Sequence, residues 1–201
     1  MHNLLPYDGT IRYWGVVIND SKLTFQKLIT EIDWKPDQAN MFGKIIYTKR
    51  EVAWHGDMPF RYRYSKINKF AQPCTPDLLR LRNLVSQITG EYFNSCLLNL
   101  YHDGSEGMAW HSDAEKDLKK HGMIASVSLG AERKFSLKHK KTKKRIDVYL
   151  PTGSLLTMEK ETQDHWLHRL PPSKKINDVR INLTFRCIKQ EESTASENFL
   201  K

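Results

Sequence analysis

Apolar positions recur with helical spacing in two early segments, and beyond Gly90 they alternate instead. The first segment, "KLTFQKLITEI", follows Ser21, a candidate N-cap; the second, "DLLRLRNLVSQIT", is opened by Thr75-Pro76 and stopped by Gly90. Each joins a start signal to an apolar face, so two helices are predicted. After Gly90 come short strand-like runs: "NSCLLNLY", "IASVSLG", "RKFSLKH", "RIDVYLP", "GSLLTME", "DHWLHRL" and "RINLTFRCI". Many short strands separated by Gly, Pro and charged turns predict a mainly β fold of the α+β kind. A sandwich or jelly roll fits, with the two helices bracing one sheet from outside.

The stretch "ANMFGKIIYTKREVAWHGDMPFRYRYSKINKF" interleaves aromatics and bases, and its turn residues break any regular period. Ordered loops and short hairpins are predicted there, a surface suited to stacking bases and holding phosphates. The tail "KQEESTASENFLK" is polar and predicted to be disordered. No internal repeat is visible.

At 201 residues the chain can bury one real core and is expected to form one domain. Lysine plus arginine, 32, outweighs aspartate plus glutamate, 23, and the resulting charge of +9 favours an anionic partner such as nucleic acid. Cys74, Cys96 and Cys187 are far apart and form no C-x-x-C, which argues against a disulfide framework or a zinc ribbon and for a reducing compartment. No apolar run approaches a membrane span, and "MHNLLPYDG" lacks a signal-peptide layout. A soluble, intracellular monomer with no membrane partner is therefore expected. "KHKKTKKR" could serve as a nuclear localisation signal, so the compartment is cytoplasmic if the source is bacterial and nuclear if it is eukaryotic.

"GMAWHSDAE" carries candidate chemistry: on extended chain His111 and Asp113 project to one side and could hold one ion. The spacing alone is a weak signal. His55-Gly56-Asp57 shares it within "WHGDMP", where Gly, Asp and Pro suit a turn. A third ligand would come from His165 or His168; three apart on a strand, they face opposite ways, so one points inward. Two histidines and a carboxylate on one face of an octahedral ion are the arrangement of non-haem Fe(II) oxygenases, with zinc the chief chemical competitor. In "RINLTFR", Arg180, Asn182, Thr184 and Arg186 share one strand face, and Ile181, Leu183 and Phe185 the other. The two arginines, roughly 20 Å apart along the strand, leave room for a short diacid such as 2-oxoglutarate, which favours iron.

Read together, "NLY", "WHSDAE", "SVSLGAERKFSLKHK", "GSLLTM", "HWLHRLP" and "RINLTFR" closely resemble the AlkB family of Fe(II)- and 2-oxoglutarate-dependent dioxygenases, over about residues 95–188. The family pattern of His-x-Asp, a distant His and Arg-x5-Arg occurs here in order. The resemblance implies a single oxygenase domain over residues 1–188. Within it, about 91–188 would form a double-stranded β-helix (jelly roll) and about 40–70 an N-terminal substrate-recognition lid, with 189–201 a disordered tail. It assigns iron to His111, Asp113 and His168, leaving His165 as the outward neighbour. It assigns 2-oxoglutarate to Asn99, Tyr101, Arg180, Asn182 and Arg186, with Arg180 on the distal carboxylate and Arg186 near the metal-bound end.

"YRYSK" looks like the base-pocket segment in the branch of the family that acts on duplex DNA, which would bring Tyr62, Tyr64 and Ser65 to the substrate. Met41-Phe42 falls where that branch carries an apolar finger, and inserted apolar side chains do stabilise opened base stacks. Glu115 occupies a position where the family often has an acid; it would favour a cationic methylated base, or else pair with Lys116 or Lys119 at the surface. From Arg133 to Arg145 the chain holds eight lysines and arginines and no acid, so Lys140, Lys141, Lys143 and Lys144 are expected to grip phosphates.

The implied cofactors are Fe(II), 2-oxoglutarate and O2. The implied reaction is oxidative dealkylation of N-alkylated bases, such as 1-methyladenine and 3-methylcytosine, in duplex or single-stranded DNA. The alternatives are a related oxygenase acting on RNA or protein, or an inactive nucleic-acid-binding module on the same fold. Loss of activity usually removes a ligand or an arginine, and none is missing here.

Overall fold

The structure is a computed structural model that describes residues 2–41, 44–64 and 67–189, including side chains except those of 39–41, 44, 61–64 and 67–69. In chain order its elements are β1 (Thr10–Val16), α1 (Ser21–Glu31), β2 (Lys35–Met41), β3 (Lys44–Gly56), β4 (Arg61–Tyr64), β5 (Ile67–Phe70) and β6 (Gln72–Pro73). Then follow α2 (Pro76–Thr89), β7 (Ser95–Tyr101), β8 (Met108–His111), β9 (Ile124–Gly130), β10 (Arg133–His139) and β11 (Arg145–Leu150). The chain closes with β12 (Ser154–Glu159), α3 (Thr162–His165), β13 (Trp166–Leu170) and β14 (Arg180–Arg186).

Both predicted helices form. At α2 the Thr75 hydroxyl accepts the Leu78 N–H at 3.3 Å, Pro76 occupies the first turn, and Gly90 ends the helix in the left-handed region at φ 75°. Its buried residues Leu78, Leu81 and Val85 lie on one face. At α1 the expected cap is displaced by one residue. Asp20 stands at the N-cap without a side-chain cap bond, and its carbonyl already accepts the Thr24 N–H, so Ser21 is the first helical residue.

A major sheet runs in the order β1-β12-β9-β14-β7-β3-β2, with β6 beside β3, and a minor sheet in the order β11-β10-β13-β8. Interleaved antiparallel strands of the two sheets make the expected double-stranded β-helix. Ile181, Leu183 and Phe185 of β14 pack outward against Leu28, Leu78, Leu81 and Val85, which seats both helices on the outer face of the major sheet. Ile11, Leu137, Leu150, Leu156, Met158 and Trp166, drawn from both sheets, fill one end of the space between them. Each such buried side chain contributes roughly 1.5–3 kcal/mol of transfer free energy, so the polar positions facing the other end stand on a rigid frame. Gly107 lets β8 approach β13, because a Cβ there would collide with the Leu170 carbonyl oxygen.

Three expectations change. The segment predicted as loops and short hairpins contains the 13-residue β3, which pairs with β7 from Glu51 to Gly56 and with β2 on its other edge. Pairing on both edges overrides the missing period. "DHWLHRL" is not one strand: Asp164 and His165 end a helical turn, and β13 starts at Trp166. Lys189, placed in the predicted tail, donates its N–H to the Asp117 carbonyl at 2.8 Å; residues 190–201 lie outside the described residues.

Candidate active site

His111 is the last residue of β8 and His168 is its register partner on β13, so strand pairing alone brings the two imidazoles together, with ring centroids 4.2 Å apart. Asp113, two residues beyond the strand, turns back to them. Its Oδ1 is 3.6 Å from His111 Nε2 and 3.8 Å from His168 Nε2. Its Oδ2 accepts from Arg186 Nη2 at 2.6 Å. Burial would raise the Asp113 carboxyl, but Arg186, His168 and His111 outweigh it and hold the group below the usual carboxylate range. Burial lowers His168 to about 4 despite the pull of Asp113, leaving it neutral at pH 7, the form that ligates metals.

These residues fit a divalent metal. His111 Nδ1 lies 2.8 Å from the Ala109 carbonyl, to which it can only donate, so the lone pair is on Nε2, the nitrogen facing Asp113. A second group, Asp8, His139 and His165, has ligand atoms as close together but the opposite chemistry. Thr142 N–H donates to His139 Nδ1 at 3.0 Å, so the proton sits on Nε2, which donates to Asp8 at 3.1 Å. That group is a hydrogen-bonded clasp for the N-terminal segment. It contains His165, so His165 and His168 diverge because they lie on a helical turn and a strand, not on opposite faces of one strand.

Behind the three side chains a cavity of ≈ 80 Å³ runs between the sheets, lined among others by Asn99, Tyr101, Phe135, Arg180, Asn182 and Arg186. Arg180 is 2% exposed, bonded to Ser128 Oγ at 2.8 Å and Asn182 Oδ1 at 2.9 Å. Its Nε has no partner, and among the described residues it has no carboxylate partner. Burial lowers it to about 10, so it remains a cation at neutral pH. A buried cation without a counter-ion is costly unless an anion joins it, which suits one end of a diacid. Tyr101 lies between Arg133 and Arg180, 6.0 and 5.6 Å from its ring centroid. Asn99 accepts from Arg50, which also pairs with Asp37.

Sequence reasoning missed several neighbours. Ser126 and Ser128 alternate with Ala125, Val127 and Leu129 on β9, the same signal of a polar inner face that marks β14. Arg50 carried no signal, since a base in a stretch of apparent loops looks solvated. Gln163, whose Oε1 accepts the Asp113 N–H at 2.9 Å, carried none either.

Other expected site residues fall as follows. Glu115 lies 3.7 Å from Arg186 Nη1, not beside Lys116 or Lys119, and its Oε2 is buried without a partner. Both border a larger cavity of ≈ 270 Å³ that meets the first at Asp113 and Arg186. Lys141, Lys143 and Lys144 are exposed, whereas Lys140 is half-buried and donates to Ser112 Oγ and the Gln163 carbonyl, which separates it from a phosphate-gripping set. His55 lies within β3, not in a turn, buried with Nδ1 on the Pro73 carbonyl, while Asp57 pairs with Arg82 and Tyr92. Phe42 and Ser65, and the side chains of Tyr62 and Tyr64, lie outside the described residues.

A β-helix with two histidines, a carboxylate and a buried arginine on one cavity fits the class of 2-oxoglutarate-dependent oxygenases. The 2OG-Fe(II) oxygenase superfamily pattern matches residues 17–186. DNA oxidative demethylase ALKBH2 of Bos taurus is 38% identical over 175 residues, covering 82% of this chain and 63% of that protein. Alpha-ketoglutarate-dependent dioxygenase alkB homolog 3 of Bos taurus is 35% identical over 184 residues, covering 86% and 63%. The chain belongs to the AlkB family within the 2OG-Fe(II) oxygenase superfamily. It spans 63% of the length of both bovine relatives. The solved structure of OsALKBH1 aligns with a TM-score of 0.64 over 92% of this chain and 99% of that one, at 15% identity, and so speaks to the fold alone. Among the described residues no helix is long and apolar enough to cross a membrane.

Proposed function

We propose that this chain is an Fe(II)- and 2-oxoglutarate-dependent dioxygenase that removes alkyl groups from ring nitrogens of DNA bases, repairing them by direct reversal. The observation that carries the proposal is the shared cavity: three side chains placed so that they could hold a metal ion at one end and, within it, a buried arginine without a carboxylate partner among the described residues. The similarity to a DNA oxidative demethylase supports the substrate class.

In this reading His111, Asp113 and His168 hold iron, and Arg180 holds the distal carboxylate of 2-oxoglutarate by charge-assisted hydrogen bonds. When bound, iron, 2-oxoglutarate and dioxygen together supply oxidation of an N-linked methyl group, with succinate, carbon dioxide and formaldehyde as products and the base restored. Asn182, bonded to Arg180 and to Ser126, keeps the guanidinium aimed along the cavity. Arg186 fixes Asp113 in its anionic form. Phe135, Met158 and Leu170 give the cavity an apolar wall.

A base inside a duplex cannot reach the cavity and must be flipped out or already unpaired. The lid would supply Tyr62, Tyr64 and Ser65 around the flipped base, with Phe42 at the opened stack, and Glu115 would favour a cationic base. Lys141, Lys143 and Lys144 would contact phosphates. A DNA substrate places the protein in the nucleus of a eukaryote or the cytoplasm of a bacterium.

The test is succinate and formaldehyde release with Fe(II) and 2-oxoglutarate, with and without an oligonucleotide carrying 1-methyladenine. Methylated DNA should stimulate both products in equal amounts and leave adenine. Stimulation by methylated RNA or a methylated peptide instead of DNA would overturn the substrate class, and no succinate under any condition would overturn the oxygenase.

A further inference from the structure

Strand β8 ends at His111, and the two residues that follow are held by neither sheet. Two side chains hold them instead. Gln163, in the α3 turn, accepts the Asp113 N–H on Oε1 at 2.9 Å. Lys140, at the start of the turn between β10 and β11, donates to Ser112 Oγ at 3.2 Å and to the Gln163 carbonyl at 2.8 Å. The Lys140 backbone N–H donates in turn to the His165 carbonyl at 2.8 Å, so the turn and α3 are tied to each other as well as to the metal segment. Lys140 is half-buried where residues 141–145 are all exposed.

We propose that Gln163 and Lys140 are positioning residues that hold the Ser112-Asp113 segment in its metal-binding conformation, and that Lys140, unlike Lys141, takes no part in phosphate contact. The inference rests on reading His111, Asp113 and His168 as metal ligands. A ligand carboxylate on unpaired backbone must be ordered before it can bind, and groups that order a first coordination shell typically change metal affinity 10–100-fold when removed. Gln163 fixes the Asp113 backbone while Arg186 fixes its carboxylate, so both groups that orient this ligand come from outside its own segment.

The test is Mn(II) binding, followed by calorimetry and electron paramagnetic resonance, beside binding of a fluorescent duplex across a salt series. Gln163→Leu should weaken Mn(II) binding by about 10–100-fold. Gln163→Glu keeps an acceptor for the Asp113 N–H and should stay at or above the wild-type affinity. Lys140→Met should weaken Mn(II) binding with the salt slope of duplex binding unchanged. Lys141→Met should do the reverse, lowering the slope by about 0.9. Circular dichroism and Tm monitor the fold of each variant. Unchanged Mn(II) affinity in Gln163→Leu and Lys140→Met, or equal loss in Gln163→Leu and Gln163→Glu, would overturn the positioning role. A lowered salt slope in Lys140→Met would overturn its separation from the phosphate set. A wild-type protein that binds no Mn(II) would overturn the metal reading itself, a result distinct from failure of the variants alone.

Discussion

At His111 one backbone carbonyl decides which ring nitrogen is free, and at His139 one backbone amide decides the opposite. Residue types and the closeness of their ligand atoms are the same in kind; the hydrogen bond at Nδ1 separates a candidate ligand from a clasp. His111→Ala should therefore abolish succinate formation, whereas His55→Ala should retain it in protein that remains folded, because Asp57 is taken by Arg82 and Tyr92 and His55 joins no metal-holding group among the described residues. Comparable loss in both, with the fold intact, would mean that the wrong pair has been chosen. This much was half legible: the His-x-Asp spacing marked two places, and the partners of each aspartate, close in space but invisible in a motif, separate them: two imidazoles and Arg186 at Asp113, Arg82 and Tyr92 at Asp57.

His168 adds a pH dependence. Its folded pKa, lowered by burial to about 4, lies below the unfolded value of about 6.5, so the unfolded chain takes up a proton first as pH falls. The stability it contributes is fully present above pH ~6.5 and is lost as pH falls through ~4, on the order of 3 kcal/mol in metal-free protein. His55, also lowered by burial, acts in the same direction. Urea unfolding of the metal-free protein across this window should show the loss, reduced in His168→Gln; a flat wild-type profile would contradict the burial of the ring. Glu115 gives a third expectation at this scale. On the proposed function its unpartnered Oε2 would accept from a cationic base, so Glu115→Gln should lower turnover of 1-methyladenine and 3-methylcytosine more than turnover of a neutral etheno adduct. Equal effects on both would leave Glu115 a support of Arg186 alone.

Among the elements, β14 was the most legible because its alternation is complete: three apolar residues face the helices while two arginines, an asparagine and a threonine face the cavity. Strand β3 was opaque because its first half is solvated and its period is broken, so that pairing with β7 and β2 determines it. The turn after β10 shows what composition can and cannot give. Its charge was plain from sequence, but the partition of its lysines depends on Ser112 and Gln163, which are distant in the chain. Neutralising Lys141, Lys143 and Lys144 together should weaken duplex binding similarly for all sequences and lower the salt slope by about 0.9 for each lysine that contacts a phosphate. An unchanged slope would remove this turn from the nucleic-acid surface.

For the whole molecule, the proposed function raises the question of how a cavity walled by two sheets would meet a base buried in a helix of DNA. The major sheet extends past β7 by β3 and β2, and there Ile45, Ile46 and Tyr47 are 53%, 45% and 66% exposed. Successive strand residues point to opposite faces, so three exposed in a row mean that neither face of this ribbon is covered there by the other described residues. Exposed apolar residues in series are unfavourable in water and mark a surface that meets something. They adjoin in sequence the Met41-Phe42 stretch, which falls where the resemblance implies an apolar finger. Apolar side chains wedged between base steps offset part of the few kcal/mol that unstacking costs, a cost that a base already single-stranded largely avoids. Phe42→Ala and Tyr47→Ala should therefore lower turnover of 1-methyladenine in duplex DNA several-fold more than in a single strand of the same sequence. Their Mn(II) affinity should be unchanged; Tyr47 does not line the cavity that holds His111, Asp113 and His168. Equal loss on duplex and single strand would show that these residues hold the base rather than the opened stack, and no loss on either would take the ribbon out of substrate recognition.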